Sequence, residues 1–303
     1  MQSPQLAREI KRGDRRALSK GITLVENERE GASKLLRMLK PPGHAFILGV
    51  TGPPGTGKST LVDRLIEPYR KRGLRVGVIA VDPTSPITGG ALLGDRIRMA
   101  DHAEDRGVYI RSMASRGWSG GLSRATSQVV QLMDAAGFDI ILLETVGIGQ
   151  SDIEVVSVSH AVLVVLMPGL GDDVQVSKAG LMEIGDIYVV NKADIEGSDS
   201  MVVSILGVVR GMKPRPPPVI KVSALTGEGL EKLDLAIEGV RAGFERGEVE
   251  LRLRSVRGMI IETAKWNVME RLGHVPTERA DKLAQLVVRG KLTVDDAAAR
   301  LME

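Results

Sequence analysis

Gly52-Pro53-Pro54-Gly55-Thr56-Gly57-Lys58-Ser59, followed by Thr60, has the spacing G-x-x-x-x-G-K-[ST]. An apolar run ends just before it, at Val50 or Thr51, and an apolar-periodic segment starts near Ser59. Strand, loop and helix therefore follow in the order that phosphate binding requires. Glycines let the backbone wrap closely around phosphates, so that amide N–H groups point inward. The helix start adds partial positive charge. Lys58 is expected to reach the β- and γ-phosphates, and Ser59 to ligate Mg²⁺. The bland alternative is a Gly-rich turn that holds no ligand. The loop alone separates neither ATP from GTP nor a kinase from a switch.

Outward from this loop, short apolar runs recur at 46–50, 75–81, 108–111, 140–143, 161–167, 187–190 and 219–222. Several are too uniformly apolar for a half-exposed strand, and helical stretches separate most of them. The pattern predicts an α/β fold of the P-loop NTPase type, with a mostly parallel central sheet and helices on both faces. Ligands of such sheets bind at the carboxyl ends of the strands. Aromatic residues make up only 3% of the chain, so the core must come from Val, Ile, Leu, Met and Ala. Residues 1–43 read as an N-terminal helical region closed by Pro41-Pro42-Gly43, residues 44–245 as the nucleotide domain, and 246–303 as a C-terminal helical region. In the last, 252–272 reads as a long amphipathic helix, and Thr277 and Thr293 as N-caps.

The run at 187–190 ends in Asn191-Lys192-Ala193-Asp194, an N-K-x-D pattern. A carboxylate at Asp194 can accept from both the ring N–H and the exocyclic amine of guanine, a donor pair that adenine lacks. Asn191 can tie this loop to the base and to the phosphate loop, and the stem of Lys192 can lie across the ring. Taken alone the pattern could be an ordinary strand-end turn. Ser223-Ala224-Leu225 follows the next apolar run, and a backbone N–H there could meet the guanine carbonyl. Two base-reading loops in chain order after a phosphate loop favour GTP over ATP.

Asp82 and Glu144 end two of the apolar runs, and Asp95 lies in Leu93-Gly94-Asp95-Arg96. Mg²⁺ takes oxygen ligands and keeps several waters, so a few carboxylates beside the phosphates suffice. Glu144 stands where many NTPases carry the second metal-side acid, and Gly147 can offer its N–H to a γ-phosphate. The residues expected to carry the chemistry are Lys58, Asp82, Glu144 and Gly147, with Ser59, Asp82, Asp95 and Glu144 around the metal. No glutamine directly follows Gly147, so intrinsic hydrolysis is expected to be slow until a partner or dimer contact assists.

Acidic and basic residues nearly balance at a net charge of +3, with no Lys/Arg block of the kind nucleic-acid binders concentrate. No apolar run reaches the roughly 20 residues that span a bilayer. The polar N-terminus has no signal-peptide core and is too short for an organellar targeting segment, so the expected location is the cytoplasm. The chain has no cysteine, which excludes disulfides and a thiol nucleophile. Its histidines, His44, His102, His160 and His274, are scattered. That counts against a metallochaperone, which needs soft or imidazole ligands in clusters. The guanine loops count against a small-molecule kinase. Both remain alternatives.

Longer strings narrow the reading. Gly13-Asp-Arg-Arg-Ala-Leu18, Val81-Asp-Pro-Thr-Ser-Pro86 with Thr88-Gly-Gly90, Glu144-Thr-Val-Gly-Ile-Gly-Gln-Ser151 and Pro168-Gly-Leu-Gly-Asp-Asp-Val-Gln-Val-Ser-Lys178 are specific. In these the chain resembles the MeaB/ArgK family of SIMIBI-class GTPases, which includes the methylmalonic aciduria type A protein. The resemblance spans nearly the whole chain. It implies that Asp82, Asp95 and Glu144 are magnesium-side acids and that Asp172, Gln175 and Lys178 belong to a third switch. It further implies GTP or GDP as ligand, Mg²⁺ as cofactor, and a homodimer built largely through the C-terminal helices. The implied partner is an adenosylcobalamin-dependent acyl-CoA mutase, typically methylmalonyl-CoA mutase, whose cofactor loading the GTPase gates and which it protects. Ile87 and Ile97 depart from the family pattern, which commonly has polar residues there.

Overall fold

Every residue of β1 (Phe46–Thr51), β4 (Ile140–Glu144), β5 (Ala161–Leu166) and β6 (Ile187–Val190) is buried. Strands covered on both faces read as unbroken apolar runs, and that is the pattern of these segments. With β2 (Val76–Asp82), β3 (Val108–Ala114) and β7 (Val219–Lys221) they form one seven-stranded sheet of order β3-β2-β4-β1-β5-β6-β7. All neighbouring pairs are parallel. The strands fall on the seven predicted runs, with ends shifted by a few residues. The structure, a computed structural model, describes residues 3–27, 30–39, 43–82, 102, 104–114, 124–145, 147, 151–169, 180–211, 216–247, 249–273 and 277–302.

The strand order sets the place of the site. From β1 the chain passes over β4 to reach β2, whereas from β4 it passes back over β1 to reach β5. The direction of winding reverses beside β1, and a crevice opens at the carboxyl ends of strands where that happens. The phosphate loop leaves β1 at that point.

α4 (Lys58–Lys71) follows the loop and buries Leu61, Val62, Leu65, Ile66 and Tyr69, a stripe at helical spacing, in the main core with Leu48, Val50, Val78, Leu142 and Leu163. Each such side chain contributes about 1.5–3 kcal/mol on burial. α1 (Ser3–Lys11), α2 (Arg15–Glu26) and α3 (Ala32–Met38) pack on one another and on α5 (Arg124–Ala135). The Asp14 carboxylate caps α2 by accepting from Ala17 N at 2.7 Å. Asp134 of α5 accepts from the amides of Gly43, His44 and Ala45, fixing the entry to β1.

Two compact units result, Met1–Gly258 and Met259–Glu303. The first also holds α6 (Ser151–Val158), α7 (Leu181–Ile184), α8 (Ser198–Arg210), α9 (Leu230–Glu245) and the start of α10 (Val249–Gly273). Gly258 of α10 lies backbone to backbone on α6, where a Cβ would stand 2.1 Å from Ser157 O. The second unit contains the rest of α10, α11 (Thr277–Val288) and α12 (Val294–Met302). Thr293 caps α12 by accepting from Asp296 N at 3.0 Å. Thr277 is instead the first helical residue of α11.

His160, one of the scattered histidines, is a core residue at the start of β5. It brackets β1, since its N–H donates to Ile47 O at 2.9 Å and its Nδ1 accepts from Ile47 N at 3.0 Å. The ring packs tilted against Phe244, centroids 4.3 Å apart, and Arg252 also lies over Phe244. Burial, reinforced by the charges of Arg252 and Arg254, pushes its pKa down from 6.5 to about 4. Protonating Nδ1 would set two N–H groups face to face. The folded state therefore resists a proton that the unfolded chain accepts near 6.5, and stability is lost as pH falls from there towards 4. Between pH 7 and pH 5 the loss from this group is about 2 kcal/mol. In urea titrations, His160→Gln is expected to remove that component, so the variant's stability falls less steeply with acid than the wild type's.

Candidate functional site

The predicted phosphate loop runs from the end of β1 to the first turn of α4, with Gly57 as N-cap in a left-handed conformation, φ 87°. Pro54, Gly55 and Thr60 face solvent, while Gly52 and Thr56 are buried. Thr56 braces the loop from within by donating its hydroxyl to Pro53 O at 2.9 Å. The Lys58 ammonium is nearly buried and donates to the carbonyls of Gly52 at 2.8 Å and Pro53 at 3.1 Å. A buried ammonium needs such partners, and here they place its charge against the loop itself.

The end of β4 forms the opposite wall. Glu144 is 5% exposed, and its Oε1 accepts the Ser59 hydroxyl at 2.6 Å. Thr145 donates its hydroxyl to Thr51 at 2.9 Å, joining the ends of β4 and β1. Neither threonine was predicted as a site residue. The available signal was their position, one immediately before the phosphate loop and one immediately after Glu144. At Gly147 a Cβ would stand 1.9 Å from Gly52 O and 2.7 Å from Lys58 Nζ, and φ is 81°. Only glycine fits that approach. The segment after β4 thus touches the phosphate loop through its backbone.

The Ser59 hydroxyl and the Glu144 carboxylate suit a hard divalent cation, which needs oxygen donors and draws the rest from phosphates and water. Among the described residues no group of three His, Asp or Glu side chains gathers for a metal. Asp82 ends β2, but its side chain lies outside the described residues. So do Asp95, Asp172, Gln175 and Lys178.

The two predicted base loops meet. Asn191 is buried, and its side-chain amide spans three segments. Nδ2 donates to Thr56 O of the phosphate loop at 2.7 Å, and Oδ1 accepts from Ala224 N at 3.0 Å. Lys192 is the non-glycine residue with positive φ among the described residues, at 58°. Such a conformation costs energy and clusters at functional sites. Ser223 donates its hydroxyl to Asp194 Oδ1 at 2.8 Å. That bond holds the Asp194 carboxyl below the ordinary range. The group is an ionised acceptor at neutral pH, and Ser223 occupies one of its two oxygens. Because Ala224 N–H is taken by Asn191, the N–H that remains in Ser223-Ala224-Leu225 for a purine carbonyl is that of Leu225. Leu225 itself is 75% exposed.

A family model described as "Methylmalonyl Co-A mutase-associated GTPase MeaB" matches residues 18–275. The chain belongs to the MeaB family. It is therefore a P-loop GTPase that binds guanine nucleotide, from a family associated with methylmalonyl-CoA mutase. A Pyrococcus horikoshii protein, whose own naming as a GTPase is provisional, is 52% identical over 236 residues, which is 76% of this chain and 74% of that protein. The mouse mitochondrial protein named methylmalonic aciduria type A homolog is 32% identical over 322 residues, covering 96% of this chain and 77% of its own length. A crystal structure named LAO/AO transport system kinase matches with a TM-score of 0.73 at 24% identity, over 99% of this chain and 96% of that one. At that identity it speaks for the fold alone.

Replacing Asn191 by Ala would strip Thr56 O and Ala224 N–H of their shared partner, a loss of about 1–3 kcal/mol. GDP affinity of this MeaB-family protein is expected to fall by roughly 10-fold or more in calorimetric titration. Unchanged affinity would mean that the loops keep their places without the amide.

Proposed function

We propose that the chain binds and slowly hydrolyses GTP with Mg²⁺. We further propose that it uses its nucleotide state to gate adenosylcobalamin loading onto a cobalamin-dependent acyl-CoA mutase of the methylmalonyl-CoA mutase type, and to protect that enzyme. The observation that carries the nucleotide half is the ionised Asp194, anchored by Ser223, joined through Asn191 to the phosphate loop. The partner half draws on the family description and on the name of the mouse relative.

In this reading Asp194 accepts from the guanine ring N–H and its amine, and Lys192 covers the ring. Amides of Gly52, Gly55, Thr56, Gly57, Lys58, Ser59 and Thr60 lie in the segment that would cradle the phosphates, with Pro53 and Pro54, which have no N–H to offer, shaping its turn. Lys58 compensates charge on the β- and γ-phosphates, and the Gly147 N–H turns to the γ-phosphate and releases it after hydrolysis. Ser59 and Glu144 hold Mg²⁺ with help from Asp82 and Asp95, and the ion, when bound, neutralises charge building on the phosphate oxygens. Asp172, Gln175 and Lys178 form a third switch that reads the same state. Residues 1–43 brace the nucleotide domain, 44–245, and 246–303 carry a homodimer contact. Exposed Leu253, Ile260, Ile261 and Val268 of α10 support that last assignment. Among the described residues no helix is long and apolar enough to cross a membrane.

Asp194→Asn should weaken GDP binding by about 2–3 kcal/mol and gain affinity for xanthosine diphosphate, whose 2-oxo group suits an amide donor. Unchanged GDP affinity with no gain for xanthosine would remove the base assignment. Lys58→Ala should abolish most triphosphate binding. Sedimentation with a cobalamin mutase, in GDP and in a non-hydrolysable GTP analogue, tests the partner. A complex that depends on the nucleotide is expected, and the absence of one with any such mutase overturns the chaperone reading.

A further inference from the structure

Arg64 lies on α4, five residues beyond Ser59, outside every motif used above. Its guanidinium donates from Nε to Ala224 O and from Nη2 to Leu225 O, each at 3.0 Å. One planar fork thus grips two successive carbonyls of the loop that stands over the base. Glu67, one turn on along the same helix, forms an ion pair with Lys71.

The consequence follows from peptide geometry. In a trans peptide the C=O and the N–H of one linkage point opposite ways. With Ala224 O turned to Arg64, the Leu225 N–H points away from α4. With Leu225 O turned to Arg64, the Thr226 N–H also points away, and it meets Ser223 Oγ at 3.3 Å. Ser223 Oγ is the atom bonded to Asp194, so the face turned from Arg64 is the Asp194 side of the loop. Ala224 N–H is already held by Asn191. The Leu225 N–H is therefore presented on the side where Asp194 would read a purine.

We propose that Arg64 is a positioning residue for base selectivity, holding the Ala224–Leu225 peptide so that the Leu225 N–H meets the 6-oxo group of guanine. Were that peptide to flip, a carbonyl would face the base and accept from the 6-amino group of adenine instead. Arg64 acts by blocking the flip, and touches neither base nor phosphate. The proposal rests on the assignment of the base site made above, and deepens it.

The test pairs Arg64→Met and Arg64→Lys with three ligands in calorimetric titration. GDP and inosine diphosphate carry the 6-oxo group, and 6-thioguanosine diphosphate replaces it with a poor acceptor while keeping both donors to Asp194. Arg64→Met is expected to bind GDP and inosine diphosphate about 10-fold more weakly, and 6-thioguanosine diphosphate about 2-fold or less, the difference being one aimed hydrogen bond. Arg64→Lys, which can hold one carbonyl, should recover part of the loss. Selectivity for GDP over ADP should narrow in the Met variant. An unchanged GDP affinity, or equal losses for all three ligands, overturns the proposal while leaving the base site standing. A wild-type protein that binds ADP as tightly as GDP overturns both.

Discussion

One side-chain amide joins the parts of this site. Asn191 donates to the phosphate loop through Thr56 O and accepts from the base loop through Ala224 N. Three segments more than thirty residues apart in sequence are thereby fixed to one another inside a buried pocket of polar groups. Such a group is effective because both its nitrogen and its oxygen are bonded in a low-dielectric setting, where an unmet amide would be costly. The parallel sheet brings the three chain ends to one edge, and the amide holds them in register. In the function proposed above, base and phosphates would be read by one connected set of loops, so the span between them would become part of what is recognised.

Much of this was legible in the sequence because the fold leaves strong marks there. Unbroken apolar runs such as 161–166 announced buried parallel strands, and the seven strands among the described residues were located from them. The phosphate loop and the N-K-x-D and S-A-L segments are local patterns, and local patterns survive in a linear reading. Other contacts were hidden because their partners are distant in the chain. Nothing in the sequence near Arg64 points 160 residues ahead to Ala224. Likewise, a lone histidine at 160 carries no sign that its ring will accept an amide from β1. The engagement of Ala224 N–H by Asn191, which moves the available donor to Leu225, is also a matter of geometry that spacing does not encode.

The Ser59–Glu144 side follows a different logic. Ser59 and Glu144 come together at 2.6 Å from elements that the sheet order makes neighbours, since β1 and β4 are paired along five residues. A glutamate at the end of β4 spans the distance to the helix start directly. Thr51 and Thr145 hold those two strand ends together beneath it.

The contact of Gly258 with Ser157 has a mechanical meaning. Side chains between two helices act as a cushion, since rotamers can absorb a small slide. Here the cushion is missing, and main chain bears on main chain. With no side chain between them at this point, α6 and α10 have little freedom to slide past one another there. A glycine in mid-helix serves as a rigid bearing.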